Sequence, residues 1–358
     1  MQSDKILATA LLLGLAPILA GCNTAGGGGA GGGGGGTTGP TGTLPVTGMG
    51  KALAFRAKST NTSDVNTYTG LPQSSQQLAG AKILDKSAPG GIEFTASADA
   101  NPDPDNYYKD KGALISASTT DTLEGGTQIA GMTKAEGAVY FENGNFGDPQ
   151  VSDANSNLSA VGVYNNYKDG VFVEQLVLKH GTTIRYSEAV DGADEAVYAV
   201  GFIGDKTMNM PQSAKATYKA FHEGGVSQYD NGTEMAQMGL RGGTVELLAD
   251  FDNGTVKGGI KDAQLLTYRD GSEVVLNNDI TGLAIDANIT GSEYAGTAQL
   301  VDTAGNGVGT TTYNESLGGF FGDGAAETMA AYVIEGNAEL DGANRDYIMS
   351  GTFGGVKQ

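Results

Sequence analysis

The chain has 358 residues, with 41 Asp plus Glu against 21 Lys plus Arg, a formal net charge of -20 and a pI near 4.3. That balance argues against nucleic acid or an anionic membrane surface as the ligand. The 58 Gly, 15 Tyr and 11 Phe, the absence of Trp and a hydrophobic fraction of 39% predict an all-β protein with many tight turns and no large helical body.

Residues 1–21 read as a lipoprotein signal peptide: Lys5, an apolar run from Ile6 to Ala20, then small residues at Ala20 and Gly21. The run is shorter than the roughly 20 apolar residues that a membrane-spanning helix needs. Cys22 is the only cysteine, so it has no partner for an internal disulfide. Leu19-Ala20-Gly21-Cys22 resembles the bacterial lipobox, in which cleavage precedes the Cys and the thiol receives a lipid. Residues 22–48 follow as a Gly-rich tether, AGGGGAGGGGGGTTGPTG, whose coil reaches about 25–30 Å on average. A lipid-bearing thiol followed by flexible chain is a mooring, and Asn23 is not the Asp linked to inner-membrane retention in enteric bacteria.

From Met49 to Lys206 the sequence predicts strands at GKALAFRA, KILDK, GIEFTAS, GALISAS, AVYFEN, SAVGVYN, GVFVEQLVLK, TTIRYSEA and EAVYAVGFIG, separated by Gly, Asn, Asp and Pro clusters. In VFVEQLVLK both faces carry apolar residues, which predicts cover on both sides. Asp99, Asn101, Asp103 and Asp105 alternate as calcium ligands do, but Pro102 and Pro104 and the missing Gly and distal Glu make a solvated acidic loop the expected reading.

Residues 207–358 predict eight strands: AKATYKAFH, GTVELLADF, GTVKGGIKDAQL, ITGLAIDANIT, SEYAGTAQLV, TTTYNESLGGFF, MAAYVIEG and DYIMSGTFGG. Eight is the number at which a sheet closes around a side-chain-filled interior. Asp252-Asn253-Gly254 and Ile289-Thr290-Gly291-Ser292 supply hairpin turns, and DGAAET (323–328) predicts a single helical turn. Gly258-Gly259, Gly318-Gly319 and Gly354-Gly355 suit sharp coiling or leave room for a neighbouring aromatic ring. The segment HEGGVSQYDNGTEMAQMGLRGG (222–243) reads as a long insertion between strands. In it Tyr229, Met235, Met238, Leu240 and Arg241 form a candidate ligand-contact surface of an aromatic anchor, adaptable apolar groups and a cation.

GGFFGDGAAETMAAYVIEG (318–336), VYAVGFIGDKTMNMPQSAKATYKAF (197–221) and the span from Leu247 to Ala298 resemble the barrel of transferrin-binding protein B and its entry junction. The resemblance implies one lobe: a handle-like β-domain over 49–206 followed by an eight-stranded antiparallel barrel over 207–358. It also implies an outer-membrane, cell-surface lipoprotein that binds a ligand without catalysis, with a surface-lipoprotein translocator and a TonB-dependent receptor as expected partners. The transferrin binders have two lobes where this chain has room for one, and Met329-Ala330-Ala331 stands where glycines are usual.

Chemistry-bearing motifs are few. The histidines are His180 and His222, each at an expected strand end, the second facing a loop mouth. A single His can serve as an axial haem ligand, which makes a haem carrier the alternative to a protein or nutrient binder. There is no HExxH, Gly-Xaa-Ser-Xaa-Gly elbow or phosphate loop, so no enzyme, metal or required cofactor is expected. An inert coat or adhesion component is the third reading.

Overall fold

The computed structural model describes residues 48–58, 81–98, 115–118, 122–127, 129, 139–140, 150–151, 158–168, 171–189, 195–232, 235–269 and 272–358. The expected signal peptide, Cys22, the expected tether up to residue 47 and the 99–106 acidic segment lie outside them, and Gly48 opens the first strand. The described residues contain strands and turns and no helix.

The amino-terminal half forms a nine-stranded antiparallel sheet: β1 (Gly48–Lys58), β2 (Ile83–Lys86), β3 (Ile92–Ala98), β4 (Ile115–Ser118), β5 (Val139–Tyr140), β6 (Gln150–Val151), β7 (Leu158–Val161), β10 (Gly181–Ala189) and β11 (Glu195–Gly204). β1 and β11 are its centre, paired from Met49↔Gly204 to Lys58↔Glu195. SAVGVYN, expected as one strand, is broken at Gly162, whose carbonyl accepts the N–H of Leu178 at 2.7 Å. β7 therefore joins β10, while β8 (Val163–Lys168) turns away to pair with β9 (Val171–Val177) in a separate two-stranded sheet. That hairpin lies on the second half of the molecule, with Tyr164 stacked on Phe221 at 5.5 Å between ring centroids. Leu178, just beyond it, is buried, but Gln175 faces solvent, so the expected cover on both faces of β9 is incomplete.

A linker from 205 to 214 leads into the second half, where β12 (Lys215–Asp230), β13 (Met235–Asp250), β14 (Thr255–Arg269), β16 (Gly282–Thr290), β17 (Glu293–Val301), β18 (Thr310–Phe321), β19 (Glu327–Leu340) and β20 (Ala343–Lys357) pair in sequence. β20 pairs with β12 and β13 with β14, which closes the barrel. The short β15 (Ser272–Val275) folds back on β14. Inward positions alternate with outward ones, as strand geometry requires. Tyr218, Leu247, Ile260, Ile285, Phe320, Tyr332 and Met349 fill the interior.

β19 shows how the two halves meet. Ala330, Tyr332 and Ile334 point into the barrel, while Met329, Ala331 and Val333 between them pack against Leu53, Phe55, Tyr198, Val200 and Phe202 of β1 and β11. Phe202 meets Phe321 edge-on at 5.6 Å, a geometry worth about 0.5–1.5 kcal/mol beyond area burial. Around this apolar seam, barrel carboxylates accept from backbone amides of the first half: Glu315 from Gly90 at 2.6 Å, Glu335 from Ile83 at 3.0 Å, and Glu327 from Lys179 and His180. Part of the acidity of the chain is therefore spent on satisfying strand ends and turns across the seam.

Two glycine expectations are met directly. A Cβ on Gly318 would fall 2.2 Å from the Tyr294 ring, and one on Gly354 would fall 2.5 Å from that of Phe221. The DGAAET helix is corrected: residues 322–325 form a turn between paired Phe321 and Glu327. Ala325 there has φ 58°, and its carbonyl accepts the Tyr218 hydroxyl at 2.8 Å. A bridge this short between two paired strands leaves no length for a helical nucleus.

Candidate ligand-binding site

The segment 222–243 is not an inserted loop. β12 continues through it to Asp230, and β13 begins at Met235. The Gly224-Gly225 pair that signals a turn instead forms a bulge, marked by the register shift between Gly224 and Ser227. A Cβ at Gly225 would meet Ser350 Oγ at 2.6 Å and Val200 Cγ1 at 2.7 Å, so Gly is needed for close approach. As a result Tyr229, Met235, Met238 and Leu240 are 1–6% exposed. Tyr229, Met238 and Leu240 belong to the barrel interior and Met235 to the seam, while Arg241 is ion-paired to Glu273. The strand period turns the expected contact residues inward.

The histidines are placed apart in role. His222 is mid-strand, with its ring on Tyr332 and Phe353 at centroid distances of 5.8 and 5.1 Å. Its Nε2 shares a 3.0 Å hydrogen bond with the Tyr332 hydroxyl. It faces the barrel interior rather than a loop mouth. Burial, reinforced by the charge of Arg185, holds its pKa down to about 3, so it is neutral at ordinary pH. His180 lies in the turn between β9 and β10, over Gly322, where a Cβ would come within 2.4 Å of its ring. Among the described residues no group of three or more His, Cys, Asp or Glu could hold a metal ion.

Candidate recognition groups gather at the barrel end formed by the end of β12, the end of β14, the 302–309 loop and the β19–β20 turn. Register fixes which side chains face its mouth. Arg345 pairs with Ala338, an interior residue, and shares its face with Tyr347 and Met349. Arg269 follows Leu265 and Thr267 on the inward face of β14; its guanidinium sits beside the Tyr229 hydroxyl and is ion-paired to Asp341. Tyr229 and Tyr347, paired across β12 and β20, form the floor. Burial pushes the Tyr347 hydroxyl up to about 12, leaving it a neutral hydrogen-bonding group. The mouth thus carries two guanidinium groups, a set suited to binding anions. Sequence reasoning passed over Arg269 and Arg345. The available signal was that three of only five arginines, Arg241, Arg269 and Arg345, fall in the barrel half.

Comparison with known proteins follows the same division. Residues 210–357 match the family described as the C-lobe and N-lobe beta barrels of Tf-binding protein B. A search of the curated proteins finds no match. Among solved structures, a double mutant of transferrin-binding protein B from Haemophilus parasuis Hp5 is 14% identical over 89% of this chain and 78% of that one, with a TM-score of 0.32. The isotype 1 protein from serogroup B Neisseria meningitidis is 12% identical over 88% and 78%, with a TM-score of 0.25. A surface lipoprotein is 15% identical over 74% and 98%, with a TM-score of 0.29. The match falls on the strands that close into the cylinder, so residues 210–357 are similar to the barrels of transferrin-binding protein B.

Proposed function

We propose that this chain is a lipid-anchored, cell-surface binding module of the outer membrane, without catalytic activity, that holds a host protein or nutrient ligand at one barrel end. The observation that carries the reading is the family match over residues 210–357, in which the relatives are binders of transferrin by name. The lipobox-like Cys22 and the Gly-rich tether support the anchor, with a palmitate-type acyl chain on the thiol.

The test uses cells displaying the full chain. Protease added to intact cells removes the protein, labelled palmitate enters it, and Cys22→Ala abolishes both the label and retention by the cell. The same cells retain iron-loaded transferrin or another protein from host plasma. A protein that resists added protease and retains nothing from plasma overturns the reading. Haemin added to the purified protein checks the haem alternative: a Soret band lost in His222→Ala or His180→Ala replaces the protein ligand with haem.

A further inference from the structure

The mouth described above contains an imbalance of charge. The chain has five arginines within a net charge of -20. Four are ion-paired: Arg56 with Glu195 at 2.6 Å, Arg185 with Glu223 at 3.9 Å, Arg241 with Glu273, and Arg269 with Asp341. Arg345 has no carboxylate partner among the described residues, although acidic groups outnumber basic ones about two to one. Its Nε is closed off from solvent without an acceptor. Its Nη1 lies over Gly232, where a Cβ would come within 2.5 Å, so the missing side chain leaves room for the guanidinium. Holding a guanidinium part-buried without an acceptor costs free energy, and an anion at its Nη groups, which are not closed off, would offset part of that cost.

Three described carboxylates at this end are committed elsewhere. Asp341 is taken by Arg269, Asp230 accepts the N–H of Gly232 at 2.8 Å, and Asp346 holds Asn337 at 3.0 Å. We propose that the mouth is a carboxylate-binding site in which Arg345 supplies the fork. The inference rests on the reading of the chain as a binding module and names the chemistry its ligand presents. A carboxylate can come from acidic side chains of a protein partner or from a small organic polyacid, and both offer the same planar pair of oxygens.

Calorimetric titration of the full chain in detergent micelles at low salt, with blocked hexaglutamate and separately with citrate as probes, tests it. At least one probe binds, Arg345→Gln weakens binding by about tenfold or more, Arg345→Lys restores part of it, and added salt weakens it further. Lys257→Gln, which removes an exposed pair with Asp286 on the barrel wall, leaves binding unchanged. Hexaglutamate alone identifies a protein source, citrate alone a small molecule, and each supports the site. No binding of either probe at millimolar concentration, or equal binding by Arg345→Gln with an unaltered thermal midpoint, overturns it. Capture of a plasma ligand by cells displaying Arg345→Gln at the wild-type level removes this site and leaves the binding-module reading standing; absence of capture by wild-type cells removes that reading.

Discussion

Glu327, the first residue of β19, holds the turn that carries His180: its carboxylate accepts the backbone N–H of His180 at 2.9 Å, and also that of Lys179 at 2.5 Å. Glu327 is 2% exposed, so removing it leaves two part-buried backbone donors without their acceptor. A hydrogen bond to a charged acceptor contributes about 1.5–3 kcal/mol and water can replace part of it at the exposed Lys179, so Glu327→Ala loses about 1–3 kcal/mol and Glu327→Gln, which keeps one acceptor, loses about half of that. The midpoint of urea unfolding measures both. An unchanged midpoint in the alanine variant refutes the role.

His222 makes stability depend on pH. Its pKa is lowered from the ordinary 6.5 to about 3, so between those values the unfolded chain binds a proton that the folded barrel refuses. The contribution is complete above about 6.5 and is lost as pH falls toward 3. Thermal midpoints measured across this window fall less steeply in His222→Phe than in the wild type. Burial moves Glu327 the other way, raising its pKa, so its contribution is present below the ordinary carboxyl range and fades as pH rises through the folded value. Glu327→Gln removes that second slope and leaves the first.

Two glycines separate strain from space. Gly259 has φ 134° and a Cβ there would lie 1.9 Å from the Leu283 carbonyl oxygen, whereas Gly291 has φ 64° with nothing within 4 Å. Gly259→Ala forces β14 and β16 apart and costs more than about 2 kcal/mol. Gly291→Asn, in a conformation Asn tolerates, changes stability by less than about 1 kcal/mol. Equal effects in urea unfolding contradict the assignment.

Glu293 ties the two halves through Lys51, at 2.6 Å, and Lys206. Burial pushes its pKa upward, but the two ammonium groups outweigh this and hold it below the ordinary carboxyl range. Its contribution is therefore present above that range and lost as pH falls through the folded value. Glu293→Gln leaves Lys51 and Lys206 facing each other and destabilises by about 1–3 kcal/mol. Wild-type stability falls with added salt, and the variant loses much of that sensitivity. A salt response the same in both proteins refutes the tie.

The strands and the closed barrel were legible because turn residues and alternation recur along 215–357, and Gly254 and Gly291 sit where hairpins need positive φ. Strand length was not. Gly224-Gly225 carries the composition of a turn, and only its tertiary neighbours, Ser350 and Val200, show that it is a bulge inside a 16-residue strand. That one misreading turned Tyr229, Met238 and Leu240 from core into surface and hid the mouth above them. Arg345 was invisible for a related reason: a cation without a partner is a property of the whole neighbourhood, which linear spacing does not encode. The family signature at 318–336 was legible because the Gly318–Tyr294 contact demands a missing side chain at a fixed place.

β19 packs into the barrel with one face and against the amino-terminal sheet with the other. A shared staff of this kind joins two interiors into one melting unit, because withdrawing it empties both at once. Calorimetry then shows a single endotherm whose measured and van't Hoff enthalpies agree, because the body has no internal hinge at that strand.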